Sequence, residues 1–255
     1  MTLPTDTPPP RRIIVAASCY ADAVRAIPMA AGLAQWAGSD LHGILVEQDE
    51  ALMTVGMFSA HLITSTGAQV AAPTLPQMRR SLTFDARIFE AELAKLSRAN
   101  QRGWTFERLQ GDLMVRMRAV AREDDILFVG HQGFYRNLGA IILIHSPGQA
   151  RNQAFDIATE LARNQNAPLS IWAAATDPEQ RHLASVELDT MLRRADLPGS
   201  VARVFRSGAE ILERINRSSA VAVIIDARSG PFRSDADKNL LLDVARCSLV
   251  IVGSG

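Results

Sequence analysis

The sequence predicts an α/β protein with mainly parallel sheets and helices on both faces, arranged in two repeated three-layer domains. Two observations carry this prediction. Short continuous apolar runs rich in β-branched residues alternate with runs of helical periodicity, which is the pattern of βαβ units. The runs IIVAAS at 13–18 and LHGILV at 41–46 also return as IILIHS at 141–146 and LSIWAA at 169–174. Placing Ile14 on Ile141 gives an offset of 127 and placing Leu41 on Leu169 gives 128, so the match needs one inserted residue.

A repeat of this length is domain-sized, because it exceeds the 20 to 50 residues of solenoid units and each copy is long enough to bury a core. We expect a first domain at 13–139 and a second at 140–255. The proline-rich stretch at 1–12 contains no apolar core of a signal peptide and is typical of a flexible arm.

The composition excludes several classes of function. Lys+Arg and Asp+Glu each number 27, so the net charge is zero and no global field attracts nucleic acid or an anionic membrane. No apolar run reaches the roughly 18 residues that a spanning helix needs. Cys19 and Cys247 lack the spacing of a zinc site or a disulfide framework, so we expect reduced, partly buried thiols in the cytoplasm.

The first repeat opens with a strand at 13–17, whose continuous apolar character indicates burial on both faces. Apolar positions from Asp22 to Gln35 recur at helical spacing, and Gly38 stops this helix before a strand at 41–46. The next segment is poor in charge and punctuated by glycine and proline, and we expect a helix at 50–64 and a loop at 67–76. The remaining elements of the first repeat are predicted at 82–101 (helix), 104–109 (strand), 113–121 (helix) and 125–129 (strand).

The second repeat follows the same order and adds a closing helix and strand that the first lacks. Because an uncovered sheet edge pairs readily with another chain, we expect the incomplete first repeat to favour a homodimer. The predicted strands of the second repeat are 140–144, 169–174, 200–206, 221–225 and 248–252, and its helices are 151–165, 178–195, 208–217 and 237–245.

Three segments resemble the tandem universal stress protein family, whose fold is of the Rossmann type. The run RLQGD at 108–112 resembles the junction before the third helix of such a domain, and DDILFVGHQG at 124–133 resembles the fourth strand entering a glycine loop. The run CSLVIV at 247–252 is similar to the closing strand. The resemblance covers nearly the whole chain from Arg12. Some members of the family bind ATP and others do not.

Several positions depart from the ATP-binding pattern. Ser18 stands where such members carry an aspartate, and His145 or Ser146 stands there in the second repeat. Gly130-x-x-Gly133 keeps the first half of the phosphate loop, in which glycines let backbone N–H groups approach anionic oxygens. Nine residues later the sequence has leucine, so Gly139 replaces the later glycine only through a shortened loop, and the run DARS at 226–229 replaces the loop in the second repeat.

The resemblance therefore implies a nucleotide of the ATP or AMP class, bound in the first repeat. Its contacts would be Ala17, Ser18, Val46, Gly130, His131, Gly133, Arg136 and Gly139.

Several of these residues, and others near them, also have a purely structural interpretation. A glycine pair after a strand is typical of a tight turn, and Ser18 and Asp22 suit the start of a helix. His131 and His145 follow strands, where hydrogen-bonded loop histidines are common, and surface arginines such as Arg228 and Arg233 are frequent.

No nucleophile elbow, HExxH helix, Walker A loop or carboxylate pair is visible, so we predict no catalytic or metal-binding residue. We expect a stress-adaptation protein that binds a nucleotide or a protein partner. The alternatives are a pseudo-dimeric interaction module without nucleotide and a weak ATP hydrolase.

Overall fold

A nine-stranded, mostly parallel sheet between two layers of helices forms the body of the protein, and the predicted α/β class is confirmed. The structure is a computed structural model that describes residues 12–47, 61–63, 69–71, 74–131, 139–148 and 153–253.

The strands lie close to their predicted positions. They are β1 (Arg12–Ala17), β2 (Asp40–Glu47), β3 (His61–Ile63), β4 (Gln69–Ala71), β5 (Trp104–Gln110), β6 (Ile126–Val129), β7 (Ala140–His145), β8 (Leu169–Ala174), β9 (Val201–Phe205), β10 (Ala220–Asp226) and β11 (Ser248–Val252).

The helices alternate with the strands along the chain. They are α1 (Tyr20–Ala37), α2 (Leu75–Ala99), α3 (Leu113–Val120), α4 (Gln153–Asn164), α5 (Pro178–Ala195), α6 (Gly208–Asn216) and α7 (Asp235–Ala245).

The main sheet has the strand order β5-β2-β1-β6-β11-β10-β7-β8-β9, and β3 and β4 form a separate antiparallel pair. Strands of the first half, β1, β2, β5 and β6, run parallel to one another. Strands β7 to β11 of the second half are also mutually parallel. The two sets meet where β6 and β11 pair antiparallel, with Leu127 opposite Ile251; we call this pairing the seam.

The seam removes the reason for expecting a homodimer through an open sheet edge. The first half does lack its own fifth strand, but β11 of the second half occupies that position and hydrogen-bonds to β6 within the same chain. The outer strands of the sheet are β5 and β9 instead. The sequence does not predict that β11 completes the first set of strands, because strand order depends on long-range packing.

Strand register relates the two halves by a uniform offset. Ile13 pairs with Leu41 in the first half, and Ile141 pairs with Leu169 in the second, which gives an offset of 128 for both strands. On this alignment Ser18 corresponds to Ser146. The single inserted residue that the sequence match requires is therefore absent from the strand pairing.

Two apolar cores lie on the two faces of the sheet. Alternate residues of β1 point to opposite faces, so Ile13 and Val15 join one core and Ile14 and Ala16 the other. The first core is covered by α1, α2, α4 and α5, and the second by α3, α6 and α7. This double burial explains why β1 reads as a continuous apolar run.

Three predicted bounds need correction. Strand β3 at 61–63 lies within the predicted helix at 50–64, and strand β4 at 69–71 lies within the predicted loop at 67–76, so both predictions are wrong there. The other residues of that predicted helix lie outside the described ranges. Helix α2 begins at Leu75, because Thr74 and Gln77 form a capping box and a proline is tolerated in the first turn. Arg12 belongs to β1 rather than to an arm, and its Nε donates to buried Asp125 at 2.9 Å.

Among the described residues, no helix combines the length and the apolar character that crossing a bilayer requires.

Candidate functional site

Strand direction creates two separate places where a ligand of this fold class would bind. Ligands of open α/β sheets lie beyond the carboxyl ends of the strands, where neighbouring connections leave in opposite directions. In the first half this switch point lies between β1 and β6, and in the second between β7 and β10. Because the seam is antiparallel, the strands of the two halves point in opposite directions, and their carboxyl ends lie on opposite sides of the molecule. The two switch points are therefore far apart, one at each end of the strands.

Five of the eight predicted contact residues lie at the first switch point. Ala17 ends β1 and Ser18 follows it, Val46 lies near the end of β2, and Gly130 and His131 follow β6. Strands β2, β1 and β6 are adjacent, and the Gly130 N–H donates to the Ala16 carbonyl at 2.8 Å. We call these five residues the first switch-point site.

Gly130 has a packing role that the sequence did not reveal. A Cβ at this position would lie 2.6 Å from the backbone oxygen of Asp22 and 3.2 Å from Cα of Ala23. The end of β6 therefore presses directly on the first turn of α1, and only glycine permits this approach. Close packing against α1 therefore explains why position 130 is glycine, and no phosphate contact is needed to account for it.

Carboxylates surround the amino end of α1. The Cys19 thiol donates to the Asp22 carboxylate at 3.3 Å, and the Tyr20 N–H donates to the Asp85 carboxylate of α2 at 3.2 Å. Negative charge at a helix amino terminus is favourable, but it repels a phosphate group brought to the same turn. Hydroxyl or amino donors of a sugar or a base suit these carboxylates better.

No sequence pattern points to Asp85. It lies 65 residues from Tyr20, on a helix whose pattern reports only its buried face. Only the packing of α2 beside α1 brings it to the site.

Cys19 offers a built-in chemical test of this environment. Burial raises the pKa of its thiol to about 11, and the charges of Asp22 and Asp85 also raise it. At pH 8 about one molecule in a thousand would carry the reactive thiolate, so a Cys247→Ala variant should react with a disulfide reagent on the order of 100-fold more slowly than free cysteine. The same variant in denaturant should react at the ordinary rate. Fast labelling of the folded protein would show that the site is open and differently charged.

The other predicted contacts do not join this group. Gly139 precedes β7, and β11 and β10 separate β7 from β6, so it lies on the order of 14 Å away across the sheet. A Cβ there would meet the backbone oxygen of Ser219 at 2.8 Å, which explains this glycine by close packing. Gly133 and Arg136 lie outside the described residues.

The second switch point is closed by side chains of its own half. Buried His145 lies with Nε2 at 2.8 Å from Glu187 Oε1 on α5, and Glu187 Oε2 accepts the Gly148 N–H at 3.0 Å. His145 is thus held inside the protein, as the structural interpretation of a loop histidine predicts. Glu187 lies 42 residues from its partner and carries no recognisable sequence signal.

The loop after β10 also departs from a phosphate-binding form. The Asp226 carboxylate accepts the Arg228 N–H at 2.8 Å, and the Arg228 guanidinium donates to the Gly253 carbonyl at 3.2 Å and to Glu123 at 3.0 Å. Arg228 therefore ties the loop to neighbouring segments. Gly230 has a φ of 86°, and a Cβ there would lie 2.9 Å from Ser146 Oγ. Hydrogen bonds and a close approach to Ser146 therefore hold this half-exposed loop in place.

The described residues contain no group of three or more His, Cys, Asp or Glu side chains that could hold a metal ion.

The solved structures to which this chain is similar include stress proteins. A universal stress protein from Archaeoglobus fulgidus DSM 4304 is similar at 10% identity and a TM-score of 0.52, over 96% of this chain and 97% of that one. A putative universal stress protein from Pseudomonas aeruginosa UCBPP-PA14 gives 12% identity and a TM-score of 0.49, over 95% and 92% of the two chains. The cytoplasmic domain of a prokaryotic cation chloride cotransporter gives 14% and 0.46, over 95% of each chain.

Of these three, the Archaeoglobus protein alone scores above 0.5, and at its low identity the likeness shows the fold and nothing further. No protein-family model and no curated protein matches the sequence.

Proposed function

We propose that this chain is a tandem universal-stress-like protein that binds an adenine nucleotide of the ATP or AMP class at the first switch-point site during stress adaptation. The observation that carries the proposal is the convergence of Ser18, Val46 and Gly130 at the carboxyl ends of three adjacent strands. The shared fold with a universal stress protein supports it. The proposal treats residues 13–139 and 140–255 as the two domains.

We favour the first switch-point site over the second switch point because the two differ in the side chains at the strand ends. At the second switch point Glu187 binds both His145 and Gly148, and Asp226 replaces the glycine found at 130. The Asp226 side chain stands at the end of β10 and accepts the Arg228 N–H at 2.8 Å, whereas Gly130 adds no side chain at the end of β6.

The charges at the first site suggest how a nucleotide would lie. Asp22 and Asp85 flank the first turn of α1, so sugar hydroxyls or the adenine amino group would face them as donors. The phosphates would point away from this turn. This orientation makes the sugar and base the main determinants of affinity.

Calorimetric titration of the full chain with adenosine, AMP, ADP and ATP tests the proposal. We expect one site per chain that binds adenosine and AMP alike within about tenfold, because the phosphates add little at an acidic turn. Ser18→Ala should weaken binding by about fivefold, the worth of one hydrogen bond, while its counterpart Ser146→Ala should leave it unchanged. No heat at millimolar ligand, or equal losses from both variants, would remove the nucleotide function.

A homodimeric interaction module is the second candidate, and the outer face of α5 favours it. Leu183 and Val186, three positions apart on one face, are 62% and 53% exposed. Pairing of two copies through this face would bury both. A mass measured by light scattering that stays at 27.7 kDa at every concentration would count against it. The Leu183→Asp variant should dissociate a dimer that forms this way.

The proposal places the protein in the cytoplasm, because two unpaired cysteines suit a reducing compartment.

A further inference from the structure

A cavity of about 460 Å³ lies over the seam, on the sheet face that α3 and α7 cover. Its floor includes Leu127 of β6 and Ile251 of β11, which face each other across the antiparallel pairing. Its walls come from α3 of the first half and α7 of the second. This volume falls within the range of small-molecule sites, and we call the space the seam cavity.

The two faces of the protein differ at the seam. On one face α1 and α4 pack together, with Gly32 close enough that an added Cβ would lie 3.5 Å from Asn164 Nδ2. On the other face an ion pair of 3.1 Å joins Arg118 of α3 to Asp235 of α7, beside the cavity. A molecule in the seam cavity would therefore contact both halves.

The cavity carries an excess of positive charge at its rim. Arg118, Arg233 and Lys238 line it, and Asp235 is the one carboxylate among its lining residues. That carboxylate is shared between Arg118 and Lys238, and the Lys238 ammonium lies 3.6 Å from it, beyond ordinary hydrogen-bond length. The Lys238 side chain is only 12% exposed, and its charge acts on Asp235 and on the neighbouring Asp237 carboxylate.

The deeper lining is apolar. Met114 and Met117 of α3 are buried and line the cavity together with the Leu127 and Ile251 floor. Methionine side chains adapt to irregular apolar ligands, and the cationic rim suits a single anionic head group.

We propose that the seam cavity binds an amphipathic anion, with its head group at Lys238 and Arg233 and an apolar chain against the two methionines of α3 and the floor of Leu127 and Ile251. This site is distinct from the first switch-point site, which lies at the carboxyl ends of β2, β1 and β6. Because its walls belong to both halves, a bound ligand stabilises the seam.

Calorimetric titration of the full chain with decanoate tests this inference. Decanoate should bind at one site per chain and raise the unfolding temperature, whereas inorganic phosphate, which lacks the chain, and decanol, which lacks the charge, should bind at least tenfold more weakly. Decyl phosphate distinguishes the preferred head group. Phosphate binding as tight as decanoate, or no decanoate binding at millimolar concentration, would overturn the proposal.

The chain supplies a matched pair of variants, because Lys95 and Lys238 are its only lysines. Lys238→Met keeps the apolar stem and should weaken decanoate binding at least tenfold, whereas Lys95→Met on α2, at a side chain 70% exposed, should not change it. Arg233→Gln alters the other proposed head-group contact at an exposed side chain, so it should fold normally and still weaken binding several-fold. Full decanoate affinity in both Lys238→Met and Arg233→Gln would refute the site.

Discussion

Gly130→Val is expected to lower the free energy of unfolding by about 3 kcal/mol, because its side chain would collide with backbone rather than with a movable side chain. The Cβ alone would lie 2.6 Å from the Asp22 oxygen at the first turn of α1. Relief would require β6 and α1 to separate, and both contribute to the same buried core. Urea denaturation followed by circular dichroism measures the loss.

Gly32→Ala provides the control on the same helix. An added Cβ there would lie 3.5 Å from Asn164 Nδ2, an ordinary contact, so alanine should raise stability by about 0.5 to 1 kcal/mol through helix propensity. If the free energy of unfolding of Gly130→Val instead lies within about 1 kcal/mol of that of the parent protein, the close contact between β6 and α1 is wrong. A bulky residue at 130 also cannot serve as a test of nucleotide binding or hydrolysis, because lost activity would reflect lost folding.

Val250→Asp is expected to cost about 4 kcal/mol or more and to unfold both halves together. Val250 is fully buried in β11, where it pairs with Phe128 of β6 on one side and Ile224 of β10 on the other. A carboxylate there would be surrounded by apolar side chains from both halves. Leu240→Asp, at a position of α7 that is 48% exposed, should change stability by no more than about 0.5 kcal/mol.

The tryptophans report the two halves separately. Trp36 and Trp104 lie in the first half, and Trp172 lies in the second. In variants that keep only one of these residues, fluorescence should give the same urea midpoint for both halves, since β11 completes both sets of strands. Separate midpoints would show that the seam does not couple the halves.

Local sequence patterns were sufficient to predict most of the strands and helices. The bounds of β8, α5 and β11 match their predicted ranges because apolar runs, helical periodicity and capping residues all favour the same ends there. The first turns of α2 carry a readable signal, a capping box at Thr74 and Gln77, but Pro76 makes the same segment resemble a loop.

The seam and the site neighbours could not be predicted in the same way. Whether β11 pairs with β6, and in which direction, depends on how α1 and α4 pack across the two halves. Asp85 and Glu187 reach the switch points only through helix packing. Gly130 was recognised as a special position, and its physical reason proved to be contact with α1.

A crystal structure of the protein grown with several millimolar AMP tests the central claim most directly. The account predicts the nucleotide beyond the carboxyl ends of β1, β2 and β6, with its sugar or base beside Ser18 and the carboxylates of Asp22 and Asp85. The second switch point should remain filled by its own side chains. A nucleotide bound only at the second switch point, or crystals without nucleotide at either switch point, would contradict the proposed function.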